Sequence, residues 1–328
     1  EHKKDYDGAN HVFYMPIDAA KNAHHFYELV NPQLVVFIKY EFWFYYLQEA
    51  KKRNIPLLLV SGIFRKSQPF FQWYGGFHKQ MLQCFTHLFV QTNEAQELLQ
   101  SIDIKNASVS GDTRFDRVLE VALSFKPIEP IENFCAGKTV IVAGSTWLED
   151  DEELDHYANI HPNYRFIIAP HNLGEERLKE CGQLYKNSMR YSAYIEESDN
   201  DKLQTVNTLI IDNIGMLKRL YHYATVCYVG GAFGGDGVHN VLEAAVYSKP
   251  VVFGPVYEKF AEATELVELG GAFSVIDALE LEDTLNTLLE DKAAYNDAAV
   301  KAGNYVKAKC GATGKVMEYI QEKRLLTN

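Results

Sequence analysis

Short apolar runs alternate with segments of helical spacing along most of the chain. The apolar runs predict strands at 11–16, 33–38, 55–60, 87–91, 107–110, 138–143, 166–170, 208–212, 224–229, 250–253 and 272–275. Helical spacing predicts helices at 17–30, 43–53, 92–99, 174–187, 216–223, 239–248, 281–290, 292–308 and 312–324. Because unbroken apolar runs fit strands that are covered on both faces, this alternation predicts parallel sheets flanked by helices.

A segment without periodicity divides the pattern into two parts. Residues 117–137 contain Pro127 and Pro130 and are typical of an interdomain linker. We therefore predict an α/β protein with two Rossmann-like doubly wound domains that face each other across a cleft. The first predicted domain spans residues 1–125 and the second spans residues 126–328.

Composition narrows the class of protein. The chain has 328 residues, of which 47% are hydrophobic and 23% are charged, as is usual for a globular protein. Its net charge of −12 argues against general nucleic-acid binding, which needs a basic surface. The five cysteines are widely spaced and form no Cys-x-x-Cys pair, so neither disulfides nor a zinc site is expected. This usage favours a reducing compartment.

The glycine-rich segment 230–237 carries the strongest chemical signal. It follows strand 224–229 and holds five glycines, which let backbone N–H groups come close to a ligand. The positive end of a helix that begins near His239 or Asn240 favours an anion such as phosphate. Glu243, one turn into that helix, is placed to accept hydrogen bonds from ribose hydroxyls. A tight structural turn and a carboxylate that only complements the helix dipole are the alternatives.

Other strand ends carry groups that suit an anion. Ser145 and Thr146 offer hydroxyl and backbone donors after one strand, and His171 follows another. Arg114 offers a guanidinium that can grip phosphate or carboxylate in bidentate fashion. The alternative is that Arg114 only pairs with Asp116.

The predicted first domain has two further features. Glu41 lies after strand 33–38, at the edge where open parallel sheets bind ligands. Segment 62–79 combines Arg65 and Lys66 with several aromatic side chains, which suits an amphiphilic phosphorylated acceptor or the headgroup layer of a membrane. The alternative is a helix that packs its aromatic side chains and leaves its charges solvated.

Two segments resemble the 3-deoxy-D-manno-oct-2-ulosonic acid (Kdo) transferases of lipopolysaccharide synthesis. Residues 111–116, GDTRFD, match a Gly-[Asn/Asp]-x-[Lys/Arg]-[Phe/Tyr]-Asp segment of that family. Residues 228–260 match its donor-site signature through Gly234, Gly235, His239, Asn240, Leu242, Glu243, Gly254, Pro255 and Phe260. The resemblance covers about residues 11–320, and more broadly the chain is similar to GT-B glycosyltransferases.

The resemblance implies an inverting, metal-independent transfer of Kdo from CMP-Kdo to a lipid A precursor, with CMP-Kdo as donor substrate and no cofactor. It implies a donor nucleotide site formed by Ser145, Thr146, Pro170, His171, Ile214, Gly215, Met216, Gly234, Gly235, His239, Asn240, Val241, Leu242 and Glu243. Within that set, residues 214–216 would cradle the cytosine base. The last helix, 312–324, would cross back to the first domain.

The resemblance also implies partners and supporting residues outside the donor site. Arg114 and Glu41 would support catalysis, and Glu41, Arg65 and Lys66 would bind the lipid acceptor. Segment 62–79, together with an N-terminal anchor, would contact the membrane. The implied location is the cytoplasmic face of the bacterial inner membrane, with no nucleic-acid partner.

The chain departs from the family pattern at three places. His171 stands where the family has Arg, so a fixed positive charge is less certain there. Lys39 replaces an acid two residues before Glu41, which affects acceptor specificity. The catalytic Glu and the membrane anchor of the family are expected upstream of residue 1, so the first domain is expected to be incomplete.

Three functions stay open from the sequence. They are a Kdo transferase, a UDP-sugar-dependent GT-B glycosyltransferase or UDP-sugar epimerase, and a nucleotide-binding module without turnover. No carboxylate pair is expected to hold a metal, because Asp150 and Asp151 fall at the start of an acidic helix and are expected to be solvated.

Overall fold

A computed structural model describes residues 8–326 of the chain as two compact units. The first unit runs to Thr113 and resumes at Gly311, and the second spans Arg114–Cys310. This division falls earlier in the chain than the predicted limit after residue 125. The last helix belongs to the first unit.

The first unit is built on a four-stranded parallel sheet. Its strands are β1 (Val35–Ile38), β2 (Leu57–Gly62), β3 (His87–Val90) and β4 (Ala107–Val109), in that order across the sheet. Its helices are α1 (Ala20–Val30), α2 (Phe44–Lys52), α3 (Gly76–Leu82), α4 (Asn93–Ser101) and the last helix of the chain, α16 (Ala312–Glu322). Helix α16 packs Val316 and Ile320 against Leu58, Val60 and Phe89 on one face of this sheet.

The second unit is built on a seven-stranded parallel sheet. Its strands are β5 (Val140–Thr146), β6 (Arg165–Pro170), β7 (Ser188–Arg190), β8 (Thr208–Ile210), β9 (Val226–Val229), β10 (Val251–Phe253) and β11 (Ala272–Ser274). Their order across the sheet is β11-β10-β9-β5-β6-β8-β7. Successive residues of β5 enter different cores, Ile141 on one face and Val142 on the other, because side chains of a strand alternate. The predicted α/β class with parallel sheets is confirmed.

Helices cover both faces of the second sheet. They are α5 (Thr113–Leu123), α6 (Glu129–Cys135), α7 (Leu148–Ile160), α8 (Glu175–Leu184), α9 (Tyr191–Glu196), α10 (Asn200–Thr205), α11 (Leu217–Leu220), α12 (Leu242–Ala245), α13 (Ala261–Leu269), α14 (Ala278–Glu290) and α15 (Lys292–Ala308). The segment 117–137 is therefore not a linker. Phe115 of α5 and Ile131 of α6 are buried in the core of the second unit. A proline in the first turn of α6 is tolerated because that position needs no N–H donor.

Two other predictions of local structure are wrong. Residues 11–16 form no strand, and Val12, Phe13 and Tyr14 are exposed because no neighbouring strand pairs with them in the described part of the chain. The helix expected at 239–248 is reduced to the four residues of α12. The elements α5, α6, β7, α9, α10 and α13 were not predicted, since most of them are too short to show a periodic pattern.

The five cysteines are distributed over both units. All five cysteines are free, and Cys227 is fully buried in the second core, as its apolar surroundings predicted. Within residues 8–326, the helices are too short or too polar to span a bilayer.

Gly144 provides a direct test of packing in the second unit. A Cβ atom at this position would lie 2.1 Å from the Tyr221 hydroxyl and 2.5 Å from Leu217 Cδ1. Gly144→Ala should therefore lower the free energy of unfolding by about 2 kcal/mol, measured by urea denaturation. Gly182→Ala is the matched control, since a Cβ there meets nothing within 4 Å and the residue lies inside α8. The control should stabilise by roughly 0.5–1 kcal/mol, and equal effects of the two changes would contradict this packing.

Candidate functional site

Four loops lie at one edge of the second sheet. Strands β9, β5, β6 and β8 are consecutive neighbours and parallel, so the segments that follow them meet at their carboxyl ends. These segments hold Ser145 to Trp147 after β5, His171 after β6, residues 211–216 after β8, and the glycine loop 230–241 after β9. The structure thus brings most of the predicted donor-site residues to one place, the usual ligand edge of such sheets.

The carboxylate of Asp150 ties two of these loops together. Asp150 is fully buried and accepts hydrogen bonds from the backbone N–H groups of Trp147 and Gly231, both at 2.8 Å, and from the Tyr228 hydroxyl at 2.8 Å. Burial raises the pKa of this carboxyl, while the three donors oppose that shift. The expectation of a solvated acidic pair is wrong, because Asp151 is buried too and bonds to Arg177 and the Tyr185 hydroxyl.

The glycine loop has two positions where the backbone leaves no room for a side chain. Gly231 has a φ of +95°, and a Cβ there would lie 2.6 Å from the Gly237 carbonyl oxygen. Gly237 has a φ of +89°, and a Cβ there would lie 2.6 Å from the Phe260 ring. Only glycine fits these two positions. By contrast, Gly234 and Gly235 have φ values in the ordinary range and room for a side chain, so the fold alone does not require glycine there.

The helix-dipole argument for the loop fails. Helix α12 begins at Leu242 and has only four residues, which is too short for an appreciable macrodipole. Val241 and Leu242 are fully buried in the core, so their side chains face away from any ligand. The structure therefore offers an anion individual N–H groups and side chains at this edge, and no appreciable dipole from α12.

Three rings contact one another at the same edge. Trp147 stacks on His171 with ring centroids 4.7 Å apart, and His171 stacks on His239 at 4.6 Å. The Trp147 indole Nε1 donates to His239 Nε2 at 3.1 Å. Burial and the neighbouring His171 lower the pKa of His239, while Asp236 opposes that shift. His239 is therefore neutral at neutral pH.

Glu243 and Asn240 form a polar pair beside this cluster. Asn240 Nδ2 donates to Glu243 Oε1 at 3.1 Å, and the Lys218 ammonium lies 3.3 Å from the same oxygen. The carboxylate is 16% exposed and lines a small cavity with Lys218, Arg117 and Tyr247. Asn240 Oδ1 is buried and has no hydrogen-bond partner within residues 8–326. An unpaired buried acceptor next to an oriented carboxylate suits a ligand with hydroxyl donors.

Other predicted donor residues vary in exposure. Thr146 and Pro170 are buried, Ser145 is half-buried with a φ of 56°, and Ile214 is 70% exposed. Gly215 has a φ of +95° and is exposed beside Ile214, so the loop after β8 presents backbone and apolar surface.

Arg114 has a partner that was not foreseen. Its guanidinium donates to Glu262 Oε1 at 2.7 Å, and Glu262 is largely buried. The sequence alternative of a pair with Asp116 did not consider an acid so distant in the chain. Trp147, Asp150 and Lys218 were likewise missed as site residues, since only the folded sheet edge brings them beside the glycine loop and Glu243.

The first unit holds the predicted acceptor residues. Glu41 is exposed and accepts from Trp43 Nε1 at 2.6 Å, while Arg65 and Lys66 are exposed. Lys39, with a φ of 64°, lies 3.9 Å from the buried carboxylate of Asp112.

The aromatic side chains of segment 62–79 divide into two groups. Phe64 and Phe70 are buried in the core of the first unit, whereas Trp73, Tyr74 and Phe77 are 95%, 57% and 52% exposed.

Comparisons with known proteins identify relatives. Residues 1–117 match the family model described as 3-deoxy-D-manno-octulosonic-acid transferase (kdotransferase). The chain is 27% identical over 287 residues to a bifunctional glycosyltransferase/methyltransferase of Fusobacterium nucleatum, covering 86% of this chain and 44% of that protein. It is 26% identical over 304 residues to the 3-deoxy-D-manno-octulosonic acid transferase of Rickettsia prowazekii, covering 89% of this chain and 64% of that protein. The chain is thus similar in sequence to Kdo transferases over most of its length. The resemblance carried by 111–116 and 228–260 is thereby confirmed.

This relative of the Kdo transferases spans about half to two thirds of the length of those two proteins. Solved structures share its fold at low identity. A putative UDP-N-acetylglucosamine 2-epimerase of Listeria monocytogenes is 15% identical, with a TM-score of 0.63 over 94% of this chain and 79% of that chain. A glycosyltransferase of Rickettsia africae is also 15% identical, with a TM-score of 0.55 over 95% of this chain and 82% of that chain. These likenesses confirm the predicted GT-B fold class.

The Asp150 carboxylate should contribute strongly to the free energy of unfolding of this chain. Asp150→Ala leaves three buried donors without an acceptor, so the free energy of unfolding should fall by roughly 3 kcal/mol in urea denaturation. Asp150→Asn, which keeps one acceptor oxygen, should cost less. Glu149→Ala is the matched control because Glu149 is the exposed neighbour, and it should change stability by about 0.5 kcal/mol or less. Similar losses for Asp150→Ala and Glu149→Ala would contradict the role of Asp150.

Proposed function

We propose that the chain carries the nucleotide-sugar site of a glycosyltransferase that moves Kdo from CMP-Kdo to a lipid A precursor. The observation that carries the proposal is the convergence of the signature residues at one sheet edge. There His239 contacts the loops after β5 and β6, and Glu243 contacts Asn240 and Lys218, which lies in α11 after the β8 loop. The curated relatives named as Kdo transferases support the same donor class.

The donor would lie along this edge with its parts on different loops. The ribose hydroxyls would donate to Glu243 and to the unpaired Asn240 Oδ1. The cytosine base would contact the loop 214–216, where Ile214 offers exposed apolar surface. The phosphate would lie against the glycine loop, where Gly234 and Gly235 leave space that the fold does not otherwise use.

The proposed reaction is an inverting displacement without a metal. The acceptor hydroxyl oxygen forms a bond to the anomeric carbon of Kdo while the bond from that carbon to the CMP phosphate oxygen breaks. The hydroxyl proton passes to a general base, and CMP leaves with the bonding electron pair. Loop N–H groups and His239 would stabilise the charge that develops on the phosphate, as preorganised donors do in other transferases.

The acceptor and the membrane would engage the first unit. Glu41, Arg65 and Lys66 would contact the lipid A precursor, and the exposed aromatic side chains of segment 62–79 would enter the headgroup layer. We place this surface on the cytoplasmic face of the inner membrane, where a nucleotide-sugar donor is available. The proposed partners are thus a CMP-sugar, a lipid acceptor and a membrane surface.

The nucleotide preference tests the donor proposal. In isothermal titration calorimetry, CMP should bind more tightly than UMP or UDP, at one site. Glu243→Gln should weaken CMP binding by roughly tenfold, because a buried hydrogen bond to a charged group is lost. The matched control is Glu290→Gln, an exposed glutamate at the end of α14, which should bind CMP like the original chain.

The other outcomes separate the alternatives. A preference for UDP would favour a UDP-sugar glycosyltransferase or epimerase. Tight CMP binding without Kdo transfer from CMP-Kdo would indicate a binding module without turnover. Absence of binding to all three nucleotides would overturn the site itself.

Vesicle binding tests the membrane surface. The chain should cosediment with vesicles that contain anionic phospholipid, and Trp73→Ala should reduce the bound fraction several-fold because a large apolar surface is removed. Leu279→Ala is the control, since Leu279 is an exposed apolar side chain of α14. Equal binding by the two variants, or binding that is indifferent to anionic lipid, would contradict the proposed surface.

A further inference from the structure

The hydrogen bond between Trp147 and His239 determines where the imidazole carries its proton. An indole N–H is a donor only, and it points at His239 Nε2 across 3.1 Å. Nε2 must therefore be an acceptor, with its lone pair free. In a neutral imidazole the proton then resides on Nδ1.

We propose that Trp147 is a positioning residue that holds His239 as the neutral Nδ1–H tautomer, so that this N–H is presented to an anionic oxygen of the ligand. Within residues 8–326 no group bonds to His239 Nδ1, and this atom is not enclosed. The identity of the ligand, a nucleotide phosphate, rests on the proposed function. The assignment of the tautomer does not depend on the proposed function, because it follows from the Trp147–His239 hydrogen bond.

The surroundings fix the ring as well as its proton. His171 stacks on both Trp147 and His239, with interplanar angles of 24° and 12°. Gly231 makes room for the imidazole, because a Cβ there would lie 2.7 Å from His239 Cδ2 and 3.0 Å from Nε2. Asp150 accepts from the backbone of both Trp147 and Gly231, so one carboxylate positions the indole and the glycine that flank the ring.

The nearby charges keep His239 neutral. Protonation would place an Nε2–H against the Trp147 N–H, two donors face to face. His171, on the stacked side, adds no negative charge. Burial lowers the pKa of His239 most, and the neighbouring His171 lowers it further. Asp236 is the acid that opposes this, while the Asp150 carboxylate is already bonded to three donors. A folded-state pKa below the ordinary value means that the neutral donor persists at neutral pH and is lost only in acid.

Histidine nitrogen spectroscopy tests the tautomer directly. Long-range ¹H–¹⁵N correlation spectra of the full chain, labelled at its eleven histidines, distinguish Nδ1–H, Nε2–H and charged rings. The His239 signal is assigned by its loss in His239→Gln. His161 is an internal reference, because its Nδ1 faces the Tyr157 carbonyl oxygen at 2.8 Å and must carry a proton.

The expected result is an Nδ1–H pattern for both His161 and His239 at neutral pH. Trp147→Phe keeps an aromatic ring that can face His171, and it removes the indole N–H together with the five-membered part of the indole. In this variant the Nε2–H form of His239 should appear and its pKa should rise, while His161 is unchanged. An Nε2–H or charged His239 in the original chain would overturn the inference, and so would an unchanged tautomer in Trp147→Phe. If that variant does not fold, the spectrum of the original chain alone decides.

The pH profile of CMP binding tests the consequence for the ligand. Trp147→Phe should weaken CMP binding by about fivefold at neutral pH, the typical effect of misplacing one hydrogen bond. The ratio between the two dissociation constants should shrink as the pH falls through about 6.5, because the variant then gains a charged imidazole. The ionisation of the phosphate itself is common to both proteins and cancels in this ratio. A ratio of dissociation constants near one at every pH would overturn the inference. If the original chain binds no CMP, the proposed function is overturned, and the nitrogen spectra alone then test the tautomer.

Discussion

The buried carboxylate of Asp150 is the interaction on which the site depends. It joins the turn after β5 to the glycine loop after β9. Strands β5 and β9 are neighbours in the second sheet. Burying a carboxylate is unfavourable unless donors surround it, and here two backbone N–H groups and the Tyr228 hydroxyl do so. The position of Trp147, and through it that of His239, follows from this arrangement.

In the proposed function the phosphate would meet mainly neutral donors. The chain carries a net charge of −12, and two cations of the second unit lie against acids, Arg114 against Glu262 and Lys218 against Glu243. At His171 the resemblance implied an arginine, and the imidazole found there stacks on Trp147 and His239. Oriented N–H groups cost little reorganisation when a ligand arrives, so the proposed phosphate site would not need a surplus of positive charge.

Sequence reasoning predicted the parallel sheets because buried strands such as 224–229 and 250–253 are short, unbroken apolar runs. It failed where local pattern and tertiary structure conflict. Apolar residues at 239–248 suggested a long helix, but Val241 and Leu242 anchor a loop in the core and leave only one helical turn. It predicted His239, Asn240 and Glu243 as site residues from a motif, and the structure places His239 against Trp147 and His171. It missed Asp150, Trp147 and Glu262, because their roles arise from contacts between distant segments that no local pattern encodes.

The most direct test of the central claim is a crystal structure of the chain with CMP bound. The account predicts CMP at the carboxyl edge of the second sheet, with the ribose hydroxyls on Glu243 and Asn240 and the phosphate within hydrogen-bond distance of His239 Nδ1. CMP bound elsewhere on the chain, or lying at this edge without contact to Glu243 and His239, would contradict it.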